Sequence, residues 1–214
     1  MKEIISTSFK NFGKLRKDLL AQNQDTDHVF FQTNSSVLIS APHGVPQVRL
    51  GKLKVAEIGT IPVTMLLAKH TNSNLLIKTQ NNNDDANFDD DCEYRKTLSN
   101  IIKSQNIKYL IDIHGLAKFR PCDINLGSNF GQNTKLNQKL FNSLKSALET
   151  ARFTVSIDEP FCAGPRTIAG AFAKSHGIWT IQIEINCNIT NNPQNIDKCN
   201  KLLNTLIDWH TRKY

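Results

Sequence analysis

No apolar run in this chain approaches the roughly 20 residues needed to cross a bilayer. The opening Met1-Lys2-Glu3-Ile4-Ile5-Ser6 also lacks the continuous apolar stretch of a secretory signal. A soluble, cytoplasmic protein is expected. Cysteine is sparse, and the five residues Cys92, Cys122, Cys162, Cys187 and Cys199 are odd in number, widely spaced and never arranged as CxxC. That pattern excludes a disulfide framework and a cysteine zinc site. Cys122 and Cys162 have a proline or a phenylalanine as neighbours rather than an evident base, so neither reads as a reactive thiol. GxSxG, GxxxxGK[ST], GxGxxG and HExxH are all missing, which removes the commonest serine-hydrolase, phosphate-loop, dinucleotide and zincin readings.

Nor is there a block of Lys and Arg interleaved with aromatics, although the net charge is +7. The basic residues are scattered, whereas Asp84–Glu93 holds six of the nineteen acids and no base. Neither a nucleic acid nor a membrane is expected as partner. A small anionic substrate fits the charge equally well.

What is present is an alternation of strands and helices over 214 residues, enough for one domain with a substantial core. Apolar runs read as strands at Val29–Gln32, Ser36–Ala41, Leu75–Thr79, Ile107–Ile113, Ile124–Leu126, Phe153–Ile157 and Ile178–Ile185. Helices are expected at Phe9–Leu20, Val63–His70, Glu93–Ser104, Lys135–Thr150, Arg166–Ser175 and Asn195–His210. Pro62 is tolerable only near a helix's first turn, and Gly177 stops a helix. In Lys135–Thr150 the apolar face is Leu136, Leu140, Phe141, Leu144 and Leu148; in the last helix it is Cys199, Leu202, Leu203, Leu206 and Trp209. This order predicts a three-layer α/β/α sandwich on a mostly parallel sheet. One domain spans 1–214, with residues 1–35 as an N-terminal extension packed on it.

Three of the strands end on groups that bind metals or move protons: Ser40-Ala41-Pro42-His43-Gly44, Ile111-Asp112-Ile113-His114-Gly115 and Gln182-Ile183-Glu184-Ile185-Asn186. In an open α/β sheet, ligands bind beyond the carboxyl ends of the strands, so these groups are candidates for one site. A catalytic zinc takes three protein ligands and keeps a position for water. His43 and His114 supply two of them. Glu57 is best placed as the third, with Asp112 and the acids between Asp84 and Asp91 as alternatives. Because residues i and i+2 of a strand share a face, Asp112 is either a ligand or the partner that orients a histidine. Glu184, deep in an apolar strand, is costly there unless partnered, and beside a metal it reads as a general base. The glycines after both histidines suggest tight turns. His28, His70, His176 and His210 lack such context and read as surface residues of helices or loops.

These segments, in order, resemble the N-formylglutamate amidohydrolases, a branch of the zinc-dependent exopeptidase-like hydrolases. The likeness runs from about Ser36 to Thr190. It includes Asp85-Ala86-Asn87-Phe88-Asp89 before Tyr94-Arg95, Asp123-Ile124-Asn125-Leu126-Gly127-Ser128 and Asp158-Glu159-Pro160-Phe161. The resemblance implies a phosphorylase/hydrolase-like fold binding one Zn2+, with His43, Glu57 and His114 as ligands and Glu184 as the catalytic carboxylate. It also implies arginines that hold the substrate carboxylate: Arg95, Arg120 and Arg166 are the candidates, with Asn87 beside them. Two departures stand out. Val45-Pro46 follows His43-Gly44 where relatives often carry a serine before the glycine and a basic residue afterwards, and Asn87-Phe88 replaces a common Asn-Arg pair.

The expected activity is zinc-dependent hydrolysis of the amide of an N-acylated amino acid or small peptide. The His, Glu, His, Glu order is also similar to that of the N-acetylmuramoyl-alanine amidases, so a peptidoglycan amidase or a zinc carboxypeptidase is an alternative. A non-catalytic metal-binding module is a third.

Overall fold

The computed structural model describes residues 12–22 and 26–213. The Phe9–Asn11 start of the first expected helix lies outside the described residues. The elements are α1 (Phe12–Gln22), β1 (His28–Phe31), β2 (Val37–Ala41), β3 (Gln47–Arg49), β4 (Lys52–Lys54), α2 (Thr60–Thr71), β5 (Asn74–Lys78), α3 (Glu93–Ser104), β6 (Tyr109–Leu116), β7 (Ile124–Gly127), α4 (Gln138–Thr150), β8 (Val155–Ile157), α5 (Ile168–His176), β9 (Trp179–Asn186), α6 (Cys187–Thr190) and α7 (Ile196–Thr211).

Seven strands form one sheet in the order β1-β5-β2-β6-β9-β7-β8. β5, β2, β6 and β9 run parallel, and β7 pairs with β8 in parallel but with β9 antiparallel; β1 is an antiparallel edge on β5. The segment expected as an extension thus supplies an edge strand and α1, whose Leu19 is buried in the core. β3 and β4 form a separate hairpin that strand patterning did not reveal. Each of these strands carries a single apolar residue, Val48 or Leu53, between polar ones, too little to register.

The parallel strands read as near-continuous apolar runs because both of their faces are covered. On one face, Val37, Ile39, Ile111, Ile113, Ile181 and Ile183 pack against α1, α2, α4 and α7. On the other, Leu38, Leu76 and Leu110 meet Tyr94, Leu98, Ile102, Ile168 and Phe172 of α3 and α5. Burying each such Leu or Ile contributes about 1.5–3 kcal/mol. Pro62 is the third residue of α2, where its missing N–H has no intrahelical acceptor to lose. Thr167 caps α5 by accepting from Gly170 N at 3.2 Å, and Gly177 ends that helix at φ +63°.

Three side chains depart from the sequence reading. Leu136 falls in a single 3-10 turn before α4 and is exposed, so the apolar face begins at Leu140. His210 is buried against α2's end, with its Nε2 3.0 Å from Ser73 Oγ. His28 lies on strand β1 and pairs with Asp27.

Candidate metal centre

Strand periodicity places the chemistry on one face. On β6, Asp112 and His114 alternate with Ile111 and Ile113; on β9, Gln182 and Glu184 alternate with Ile181 and Ile183. In register, Asp112 lies beside Gln182 and His114 beside Glu184. His114 is therefore inside β6, which runs on to Leu116, rather than in a turn after it. His43 follows β2, one strand over. Glu57 sits between β4 and α2, where its N–H donates to His43 O at 2.8 Å and its C=O accepts from Thr60 N at 2.9 Å.

Neither glycine adopts a left-handed turn. Gly115 instead permits a close approach, since a Cβ there would lie 3.0 Å from Glu57 Cβ, and its N–H donates to Glu57 Oε2 at 2.8 Å. The Gly44 position is closed to any side chain by Ile61, whose Cγ1 would lie 2.2 Å from an added Cβ.

Glu57 Oε1 lies 2.9 Å from His43 Nδ1, Glu57 Oε2 3.4 Å from His114 Nδ1, and the two Nδ1 atoms are 3.2 Å apart. Each histidine turns its other nitrogen to an aspartate: His43 Nε2 to Asp85 Oδ1 at 2.8 Å and His114 Nε2 to Asp112 Oδ2 at 2.9 Å. A carboxylate at Nε2 keeps the proton there and leaves the Nδ1 lone pair pointing inward. Donors on a tetrahedral zinc at about 2.0–2.1 Å stand about 3.3 Å apart. The His43, Glu57, His114 set fits that spacing and that chemistry. Asp112 lies behind the His114 ring, at the nitrogen turned away from Glu57. Asp85, from the acidic loop, is its counterpart at His43.

The charged groups here perturb one another. Burial pushes both histidines down, but Glu57 and Asp85 outweigh it at His43, and Asp112 with Glu57 holds His114 well above its usual value. Burial likewise opposes ionisation of Glu57 and Asp85, yet their histidine partners keep both well below the carboxylate range. Glu184 is different. Burial raises it to about 7 despite the nearby histidines, and its Oε1 accepts from Gln182 Nε2 at 2.8 Å.

Glu184 shares a cavity of about 300 Å³ with His43, Glu57, His114, Asn87, Arg49 and Arg166. The guanidinium groups of Arg49 and Arg166 lie 5.1 and 5.3 Å from the Phe88 ring centre. Arg49 also donates from Nε to Asp85 Oδ2 at 2.7 Å. Sequence reasoning missed Arg49, six residues after His43, because the short β3 that turns it toward the site shows no strand alternation.

The other expected substrate residues divide. Arg95 is not among the residues lining that cavity: it is buried, with its guanidinium donating to Ala86 O, to Asp90 and to Arg166 O. These bonds tie the acidic loop to the Arg166 loop. Asn87 makes the same connection, accepting from Ile168 N at 2.7 Å, while also lining the cavity. Arg120 lines a neighbouring cavity instead. All five cysteines are free.

No family model matches the chain, and no curated protein does. Solved structures do match. An N-formylglutamate amidohydrolase from Ralstonia eutropha JMP134 superposes with a TM-score of 0.61 at 12% identity, over 87% of this chain and 96% of that one. The two chains share a fold. A gene product, Atu2144, from Agrobacterium tumefaciens gives 0.62 at 14% identity, over 88% and 94%. A metallo-carboxypeptidase from Burkholderia cenocepacia gives 0.54 at 13% identity, over 86% of this chain and 60% of that one. Succinylglutamate desuccinylase from Vibrio parahaemolyticus shares the fold as well. Among the described residues, no helix is long and apolar enough to cross a membrane.

Proposed function

We propose that this chain is a zinc-dependent amidohydrolase that cleaves the amide of an N-acylated, carboxylate-bearing amino acid or small peptide. The observation that carries this reading is the convergence of His43 Nδ1, His114 Nδ1 and the Glu57 carboxylate on one point, in a cavity that also holds Glu184. The amidohydrolase and metallo-carboxypeptidase among the neighbouring folds support it.

His43, Glu57 and His114 would hold the ion. When bound, zinc would supply Lewis acidity, polarising a carbonyl and acidifying water. The remaining work falls to the protein. Asp85 and Asp112 fix the two imidazoles with their Nδ1 atoms inward. Arg166 and Arg49, spread on Phe88, bind the substrate carboxylate, a task suited to the guanidinium fork. Gln182 occupies Glu184 Oε1, leaving Oε2 to accept a proton from water and return it to the departing nitrogen. A pKa near 7 suits a group that must do both.

The test combines elemental analysis of the purified protein with turnover of N-formyl and N-acetyl amino acids and small peptides. About one zinc per chain and cleavage next to a carboxylate are expected. Protein that takes up zinc but cleaves no amide would return the chain to a binding module.

A further inference from the structure

A second and larger cavity, of about 760 Å³, opens on the other side of Glu57 and His114. Glu57, His114, Gly115, Lys54 and Phe161 line both cavities. The larger one is walled by apolar side chains, among them Leu53, Val55, Phe119 and Ile185. Leu53, Val55 and Phe119 are 72%, 87% and 77% exposed. Hydrocarbon left to solvent around the rim of a cavity marks a ligand groove more than a free surface. Arg120 lies 5.4 Å from the Phe119 ring centre and 5.9 Å from that of Phe161. Its buried Nε has no hydrogen-bond partner among the described residues.

We propose that this cavity receives the acyl arm of the substrate, and that the arm is bulky and apolar, aromatic by preference. The proposal rests on the hydrolase reading above. The two halves of an amide diverge from its carbonyl. With the carboxylate-bearing amine on the Arg49–Phe88–Arg166 wall, the acyl half leaves past Gly115, the residue without a side chain between the two cavities. A formyl group would leave nearly all of this volume to water, whereas sites of about 300–1,000 Å³ suit ligands with ring systems. Phe119, Phe161 and the Arg120 plane offer faces on which an aromatic ring stacks. The reaction balances as a hydrolysis: the C–N bond breaks, water oxygen bonds to the acyl carbon, and one water proton passes through Glu184 to the amine.

The experiment compares N-formyl-, N-acetyl-, N-hexanoyl- and N-phenylacetylglutamate with the zinc-loaded protein. Each buried methylene is worth about fourfold, so kcat/KM should rise at least about tenfold from acetyl to phenylacetyl. Ala117→Trp, which projects an indole into the cavity from its wall, should cut the phenylacetyl-to-formyl ratio about tenfold. Arg120→Gln should lower the phenylacetyl-to-hexanoyl ratio. Equal kcat/KM for formyl and phenylacetyl substrates, or an unchanged ratio in Ala117→Trp, would overturn the subsite while leaving amide hydrolysis intact. If no acylglutamate is cleaved, it is the hydrolase reading that fails. Calorimetric binding to the metal-free protein then decides the cavity alone: tighter binding of phenylacetylglutamate than formylglutamate by about tenfold sustains it, and equal binding removes it.

Discussion

Nδ1 of His43 and Nδ1 of His114 lie 3.2 Å apart, each with its opposite nitrogen on a buried aspartate. Two inward lone pairs that close, with a carboxylate between them, repel one another unless a proton or a cation sits among them. The protein maintains the arrangement from behind, through Asp85 and Asp112.

Removing the rear partners should loosen the ion without deleting a ligand. Asp85→Asn and Asp112→Asn should each weaken zinc binding about 10- to 100-fold, read by competition with a chromophoric chelator. His114→Ala should abolish uptake. Wild-type affinity in both aspartate variants would show that they do not set the imidazole orientation.

Zinc uptake should release protons. Their carboxylate neighbours outweigh burial and raise His43 and His114 above the ordinary histidine value, so in metal-free protein each imidazole holds a proton to higher pH than a free one, and an ion must compete with that proton. Apparent affinity should therefore fall as pH is lowered. Calorimetry in buffers of different ionisation enthalpy measures the release.

Glu184→Gln keeps size and the bond from Gln182 but cannot accept a proton. It should retain zinc and lose about 10²- to 10⁴-fold in kcat. Wild-type turnover in zinc-loaded Glu184→Gln would remove the assignment.

Arg166 and Arg49 should separate in their effects. Arg166→Ala should raise KM for carboxylate substrates about 10- to 100-fold, the worth of a charge-assisted pair, and leave zinc affinity alone. Arg49→Gln should raise KM and also weaken zinc, because Arg49 holds Asp85 behind His43.

Far from the site, His210 should make stability pH-dependent. Burial lowers its pKa to about 4 from an unfolded value of 6.5. Between those values the unfolded chain binds the extra proton, so the contribution is present above about pH 6.5 and is lost as pH falls toward 4. The full loss is on the order of 3 kcal/mol at most. Urea midpoints at pH 7.5 and 4.5 should differ less in His210→Asn than in the wild type.

Much of the framework was legible because it depends on local periodicity. The helix Glu93–Ser104 falls where its apolar spacing put it, and β2, β5, β6 and β9 fall within a residue or two at most ends. β6 ran past its expected end because a buried strand tolerates polar residues wherever the neighbouring strand supplies partners, as β9 does for His114. The β3–β4 hairpin left no pattern, and with it went Arg49. Arg95 carries the same charge as Arg166 in the sequence; nothing local says that one is enclosed by Ala86 and Asp90 and the other is exposed.

Sequence alone determined the alternation of strands and helices and placed His43, His114 and Glu184 toward the carboxyl ends of three strands, because hydrophobic periodicity dictates which residues face the core and roughly where each run stops. Tertiary structure decided which nitrogen each histidine presents, that Glu57 and not Asp112 stands between them, and which arginine faces the cavity. Those outcomes depend on strand order and register, which bring residues more than forty positions apart within 3 Å of each other, as at His43 and Asp85.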